Sequence, residues 1–306
     1  MILARPDDPQ MMESVAAGPL CSVTAPGSPL GAVKHVTLAA DTSLIKTPTV
    51  SAVVPIYNEA ALLEESLRRL DAFLEKRFGP DGYEMIAVDD GSRDASRAIL
   101  ERLAPELGLV LDANPRNLGK GAAVKRGMLK ARGRYVFFTD ADLSTPLEEL
   151  DRFLARIKEG ADLVIGNRKS PEARIEVYQP WHRVVMGLAF TRLVNLVMRL
   201  RVSDYTCGFK CFTAEAARDI FTRARITGWA FDVEILYLAR RRGYVVHEVP
   251  VHWADNPNSK VRLLRDTARS LAELMKIRCD ALRGRYGERQ AAPAGLRDKA
   301  TTGKWS

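Results

Sequence analysis

Two carboxylates, Asp140 and Asp142, stand one residue apart at the end of the run Arg134-Tyr-Val-Phe-Phe-Thr-Asp140. Val, Phe, Tyr and Thr favour a pleated, buried setting, so the run is predicted as a strand. Side chains alternate along a strand, and the two acids share a side if extended geometry persists past Thr139. Carboxylates that close repel each other unless a cation lies between them. A hard divalent ion, Mg²⁺ or Mn²⁺, takes one or two carboxylates and completes its shell with phosphate oxygens and water. Chemistry on an anionic phosphate substrate is therefore the first expectation. A single Asp-x-Asp is equally compatible with two solvated acids, so the weight falls on its company.

That company is a series of strand ends. Ser51-Ala-Val-Val-Pro-Ile-Tyr-Asn58 reads as a buried parallel strand, with Pro55 near its end because it has no amide to donate. Asn58 is expected to cap a helix with an apolar face of Leu62, Leu63, Leu67, Leu70 and Leu74. A second strand from Tyr83 ends in Asp89 and Asp90, Gly91 permits a tight turn, and Ser92 or Asp94 caps a helix through Leu103. A third, Leu109 to Asp112, leads to Asn117-Leu-Gly119-Lys120-Gly121, which opens a helix to Arg132. Free amides at that helix start favour phosphate. The fourth strand reaches Asp140, Pro146 opens a further helix, and Asp162 to Gly166 is a fifth strand. Strand and helix alternate, which predicts an α/β fold: a Rossmann-like, mostly parallel sheet flanked by helices. Ligands of such sheets bind beyond the carboxyl ends of the strands, where these polar residues gather. Val124 stands at the third glycine position of a dinucleotide fingerprint, and the phosphate-loop lysine motif is absent too.

A chain of 306 residues with net charge +8 favours anionic partners. It carries no zinc-finger or RNA-binding signature, and no nucleic-acid partner is expected. Cys21, Cys207, Cys211 and Cys279 are few for this length, which fits a reducing compartment, and Cys207 and Cys211 read as packing residues. Residues 1–49 and 290–306 read as disordered tails, 50–260 as the folded α/β domain and 261–289 as a basic amphipathic C-terminal helix. Met11 and Met12 offer alternative starts. No signal peptide and no transmembrane span of ~20 apolar residues is predicted. Arg192, Asn195 and Arg199 form one polar stripe on an apolar helix around Val184 to Leu200, which suits either an interfacial helix or one packed on the sheet. Residues 260–289 hold nine Lys/Arg against four Asp/Glu, with Leu264, Ala268, Leu271, Met275 and Leu282 on one helical face. Peripheral attachment to the cytoplasmic face of a membrane is the expectation.

Taken together, Val54-Pro-Ile-Tyr-Asn-Glu59, Val88-Asp-Asp-Gly-Ser92, Asn117-Leu-Gly-Lys-Gly121 and Thr139-Asp-Ala-Asp-Leu143 resemble the family-2 glycosyltransferases of the GT-A fold. In the second half, Asp204-Tyr-Thr-Cys-Gly-Phe-Lys210, Gly228-Trp-Ala-Phe-Asp-Val-Glu234 and Asn258-Ser-Lys260 look like the dolichyl-phosphate β-glucosyltransferase branch. Mannosyl relatives usually carry Gln where this chain has Ser144, which leaves the third protein ligand of a metal open. The relatives also more often carry Thr-Gln before Cys207.

The resemblance implies a metal-dependent, inverting transfer of glucose from UDP-glucose to a polyprenyl or dolichyl phosphate. The alternatives are a mannosyl or other donor, a different acceptor, or, outside the family, a nucleotidyltransferase or a non-enzymatic binder. By the same resemblance, Pro55, Tyr57 and Glu59 line the nucleotide pocket, Asp89 or Asp90 contacts the base, and Lys120 lies near it. Asp140 and Asp142 hold Mg²⁺ or Mn²⁺. Arg168 and Lys260 meet phosphate; the need for cations between two anionic substrates adds Arg262 and Lys210 as candidates. Trp229, Asp232 and Glu234 lie near sugar and acceptor, and Asp142, Asp232 and Glu234 are the catalytic candidates. A phosphate nucleophile is mostly a dianion at neutral pH and needs no general base, whereas a hydroxyl acceptor would need one, from Asp232 or Glu234.

Overall fold

The computed structural model describes residues 47–177, 181–254 and 263–288, with the side chains of 176–184 and 263–268 left aside. The expectations for Lys260, Arg262, Cys21, residues 1–46 and residues 290–306 lie outside the described residues, as do the side chains of Leu264 and Ala268.

Alternation of strand and helix produces the expected α/β architecture. The strands are β1 (Val50–Ile56), β2 (Tyr83–Asp89), β3 (Val110–Ala113), β4 (Tyr135–Phe138), β5 (Leu163–Asn167), β6 (Arg174–Val177), β7 (Lys210–Thr213), β8 (Val246–Pro250) and β9 (His252–Ala254). The helices are α1 (Leu63–Phe78), α2 (Ser96–Leu107), α3 (Lys120–Lys130), α4 (Glu149–Lys158), α5 (Trp181–Met198), α6 (Ala214–Arg223), α7 (Phe231–Arg241) and α8 (Leu263–Leu282). Seven strands form one sheet in the order β3-β2-β1-β4-β7-β5-β8, and β6 pairs with β9 separately. All neighbours in the large sheet are parallel except at β7, which runs antiparallel between β4 and β5.

Period-two patterning decides which face each residue serves. Val53, Val136 and Phe138 enter one core with α3, α6 and α7, and with Val194 of α5 and Ile277 of α8. Val54, Ile56, Tyr135 and Phe137 enter the other, with α1, α2 and α4. Phe209 packs edge-on to Phe153 at 5.1 Å and tilted on Phe137 at 5.6 Å, tying the loop before β7 to the second core.

Local details depart from the sequence reading. Asn58 does not cap α1; it adopts φ 57 in a turn that precedes the helix by several residues. Its Oδ1 accepts from the Arg93 amide at 2.7 Å, so it serves the neighbouring loop instead. Pro146 likewise begins a turn and not α4 itself, its carbonyl accepting from Glu149 N at 3.2 Å. Asp94 Oδ1 does take the Ser96 amide at the start of α2, which continues past Leu103 to Leu107. The polar stripe on α5 breaks at Asn195, which turns inward, donating to Val202 O at 2.9 Å and accepting from Val202 N and Tyr205 Oη. What α5 leaves exposed is largely apolar: Val185, Leu188, Leu193 and Leu196. On α8, Leu271, Met275 and Leu282 face outward while Leu274 and Ile277 are buried. Among the described residues, no helix is long and apolar enough to cross a membrane.

Candidate active site

The site forms where the strand order changes direction. From β1 the chain steps to β2 and β3 on one side, and β4 lies on the other. Such a point leaves a crevice at the carboxyl ends of the strands. Pro55 helps to end the ladder there. The β1–β4 register closes at Val53↔Phe138, and Thr139 N donates to Val53 O at 3.1 Å. Pro55 has no amide to carry the pairing further. Beyond Thr139 the chain turns, with Leu143 N donating to Asp140 O at 3.1 Å and Leu143 at φ 49. Extended geometry therefore does not persist through Asp142, and a turn presents the two acids. Asp142 Oδ1 accepts from Ser144 N at 3.0 Å, which fixes that turn.

Lys120, the first residue of α3, forms an ion pair with Asp140 Oδ1. Burial opposes the Lys120 charge, but the carboxylates of Asp140, Asp232 and Asp142 outweigh it and raise its affinity for a proton. Burial likewise pushes Asp140 upward, yet Lys120, Lys210 and Arg168 hold it below the ordinary carboxylate value. Both groups are thus charged at neutral pH. The loop before β7 closes over the other side of Asp140, where a β-carbon on Gly208 would lie 1.9 Å from Oδ2. Only a glycine admits this approach. At the start of α3, Gly119 at φ 108 plays a related part, packed under Thr227 O.

Two buried carboxylates shape the loops after β2 and β3. Asp90 accepts from Asn114 Nδ2 at 2.7 Å, Leu118 N at 3.0 Å and Gly119 N at 2.9 Å, and so positions the turn that delivers Lys120. Asp89 accepts from Ser92 N at 3.0 Å, with Arg97 at 4.0 Å. Pro55, Tyr57 and Glu59 are half-buried along the exit of β1. Asn58 N donates to Ser92 Oγ and Glu59 N to Ser96 Oγ, binding that exit to the loop after β2.

Lys210 is fully buried. Its ammonium donates to Asp232 Oδ1 at 2.5 Å, Cys207 O at 2.6 Å and Tyr205 O at 2.9 Å, and lies 5.3 Å from the Phe138 ring. All three donors are used inside the protein, so this lysine holds the 205–208 loop instead of reaching solvent. Burial pushes the Asp232 carboxyl up, and Lys210 and Lys120 pull it back only in part. Arg168 forks onto Asp204 through Nε at 2.7 Å and Nη2 at 2.9 Å, donates to Thr206 Oγ1 at 2.8 Å and lies 5.1 Å from the Trp253 ring. Burial works against both charges. Each nonetheless holds the other ionised, raising Arg168 and lowering Asp204. Glu234 has other partners: Arg225 N, Ile226 N at 2.8 Å and Tyr286 Oη at 2.6 Å, a clamp between the loop before α7 and the chain after α8. Trp229 is 42% exposed, not core, with its ring 5.9 Å from Lys120 Nζ.

Asp140, Asp142, Lys120, Lys210, Asp232 and Arg168 therefore share one electrostatic centre. The sequence reading missed Asp204, Gly208 and Trp253; the first two lie inside a quoted motif, but only the folded loop gives them a role. The donor set suits a hard cation in part. Among the described residues no group of three His, Cys, Asp or Glu could hold a metal. The pair Asp140 and Asp142 fits an ion that takes its remaining ligands from a diphosphate and water.

The chain matches the model of "Glycosyl transferase family 2" over residues 51–221. It belongs to that family. A dolichyl-phosphate β-glucosyltransferase of Drosophila melanogaster is 36% identical over 69% of this chain and 68% of its own length. That of Dictyostelium discoideum is 33% identical over 76% of this chain and 75% of its own. One from Trichomonas vaginalis is 35% identical over 69% of this chain, and the match spans 65% of that relative's length. Mannosyl-3-phosphoglycerate synthase from Rubrobacter xylanophilus has a similar fold, with a TM-score of 0.57 at 22% identity over 82% of this chain and 79% of its own. Glucosyl-3-phosphoglycerate synthase from Mycobacterium tuberculosis, solved with Mn²⁺, UDP and glucosyl-3-phosphoglycerate, gives a TM-score of 0.52 at 22% identity over 79% of this chain and 81% of its own. The glycosyltransferase fold of this chain is thus GT-A, as the family resemblance of its motifs implies.

Proposed function

We propose that this family-2 glycosyltransferase moves glucose from UDP-glucose to a polyprenyl or dolichyl phosphate, giving a β-linked lipid-phosphate sugar. The observation that carries the reading is the convergence of Asp140 and Asp142 on Lys120 at the start of α3, at the sheet's switch point. The relatives' names supply the acceptor class and the sugar.

In this reading Asp140 and Asp142 would hold Mg²⁺ or Mn²⁺, which would supply positive charge against the departing diphosphate. Pro55, Tyr57 and Glu59 flank the nucleotide, with Asp89 beside them. Asp90 acts by holding the Leu118–Gly119 amides in place. Arg168 offers the acceptor phosphate a guanidinium kept in one orientation by Asp204, and Lys260 and Arg262 add charge. The acceptor dianion attacks the anomeric carbon directly, so an α-linked donor yields a β-linked product. The exposed apolar residues of α5 and α8 support peripheral attachment to a membrane, beside the lipid substrate, and the cytoplasmic face is the side proposed.

The test is to incubate purified protein with a panel of sugar nucleotides, Mg²⁺ and a short polyprenyl phosphate. The expected product carries glucose and partitions into organic solvent. Transfer only to soluble acceptors would overturn the acceptor assignment, and release of pyrophosphate would mark a nucleotidyltransferase.

A further inference from the structure

Lys120 stands where the proposed divalent cation would arrive. Asp140 Oδ1 is paired with the Lys120 ammonium, and Oδ2 is pressed against the Gly208 backbone. A cation approaching Asp140 therefore meets Lys120 first. Lys210 is pinned by three acceptors, whereas Lys120 has Asp140 as its ion-pair partner among the described residues and keeps 21% of its side chain exposed. It is the less constrained positive charge of the two.

We propose that Lys120 is the resident cation of the donor-free site, and that it couples divalent-ion binding to the arrival of a nucleoside diphosphate. The idea rests on the reading of Asp140 and Asp142 as metal ligands. An ion that binds alone displaces an ammonium and leaves it beside a dication, with no new anion to meet. A diphosphate that arrives with the ion supplies that anion beside Lys120 at the start of α3, where the positive end of the helix dipole favours phosphate. Displacement is then unfavourable for the metal alone and compensated for the pair. By linkage, each ligand strengthens the other by the same factor. The device keeps the aspartates neutralised when no donor is present, and favours loading of ion and donor together.

The test is titration of Mn²⁺ against the full chain, read from the paramagnetic resonance of the free ion, with and without UDP. The forms compared are wild type, Lys120→Met and Lys76→Met, the last an exposed charge on α1. Lys120→Met is expected to bind Mn²⁺ alone at least about fivefold more tightly than wild type, the low end of ordinary coupling between sites. The tightening brought by UDP should shrink by a similar factor, and Lys76→Met should track wild type. If UDP still tightens Mn²⁺ on the wild type but Lys120→Met binds Mn²⁺ alone no better, the coupling role is wrong while the metal site stands. If no form binds Mn²⁺ even with UDP, both fall. An equal gain in Lys76→Met would reduce the effect to net charge and overturn the proposal. Lys120→Gln replaces the methionine variant should the latter lose its native circular dichroism.

Discussion

Gly208 and Asp140 are in direct contact across the site: a β-carbon at position 208 would lie 1.9 Å from Asp140 Oδ2. The loop before β7 thus forms one wall of the carboxylate's seat, and the residue that permits this is the smallest available.

Gly208→Ala is expected to displace the Asp140 carboxylate while leaving the sheet intact. A misplacement of about 1 Å at a reacting centre costs on the order of 100-fold in rate. Steady-state turnover should fall by that order with an unchanged circular dichroism spectrum. Near-normal turnover would mean that Asp140 does not need its present position.

Lys210 and Asp232 form a buried ion pair, and removing one partner strands the other's charge. Lys210→Met is expected to lower stability by roughly 3–5 kcal/mol. Lys210→Met combined with Asp232→Leu should recover much of that loss, because no uncompensated charge is left. Urea unfolding of the single and double variants checks this, and additive losses would show that the two groups act independently.

The Arg168–Asp204 pair should leave its mark on acid stability. Asp204 is held below the ordinary carboxylate value of ~3.9 in the folded chain. Between those two values the unfolded chain binds more protons than the native one, so stability rises with pH there and is lost as pH falls through the native value. Asp204→Asn removes this acid sensitivity and destabilises the protein at neutral pH, since Arg168 loses its fork. Unfolding midpoints measured from pH 2 to 7 should show a flatter acid limb for the variant.

The pH dependence of turnover separates a phosphate acceptor from a hydroxyl. A phosphate monoester is mostly a dianion above about pH 6, so the profile should be flat there. Burial pushes Asp232 above the ordinary carboxylate range. A dependence that rises above pH 6 and disappears in Asp232→Asn would instead assign that residue as the base for a hydroxyl acceptor.

Leu196 on α5 is 78% exposed, and Met275 on α8 is 58% exposed. The double variant Leu196→Glu with Met275→Glu should reduce flotation with anionic liposomes at low salt. Transfer to a short, water-dispersed acceptor should be unaffected, because neither side chain is placed at the site. Unchanged flotation would remove these two helices from the membrane contact.

Much of this protein was written in local pattern. The alternation of Val53 against Val54 and of Phe138 against Phe137 announces a sheet buried on both faces, because a strand's period of two is a property of neighbouring residues. The same locality places Asp89, Asp140 and Lys120 at strand ends and a helix start. What only the tertiary structure decided depends on residues far apart in the chain. β7 inserts antiparallel between β4 and β5, and no period in Lys210–Thr213 records its neighbours. That insertion lays Gly208 on Asp140, buries Lys210 beneath it and sets Arg168 against Asp204. On α8 the period was legible but not its phase, since which side meets the core is fixed by the elements already packed there. Spacing along the chain determined which groups are present; long-range pairing determined which of them face one another, because electrostatic contact depends on distance in space and not on separation in sequence.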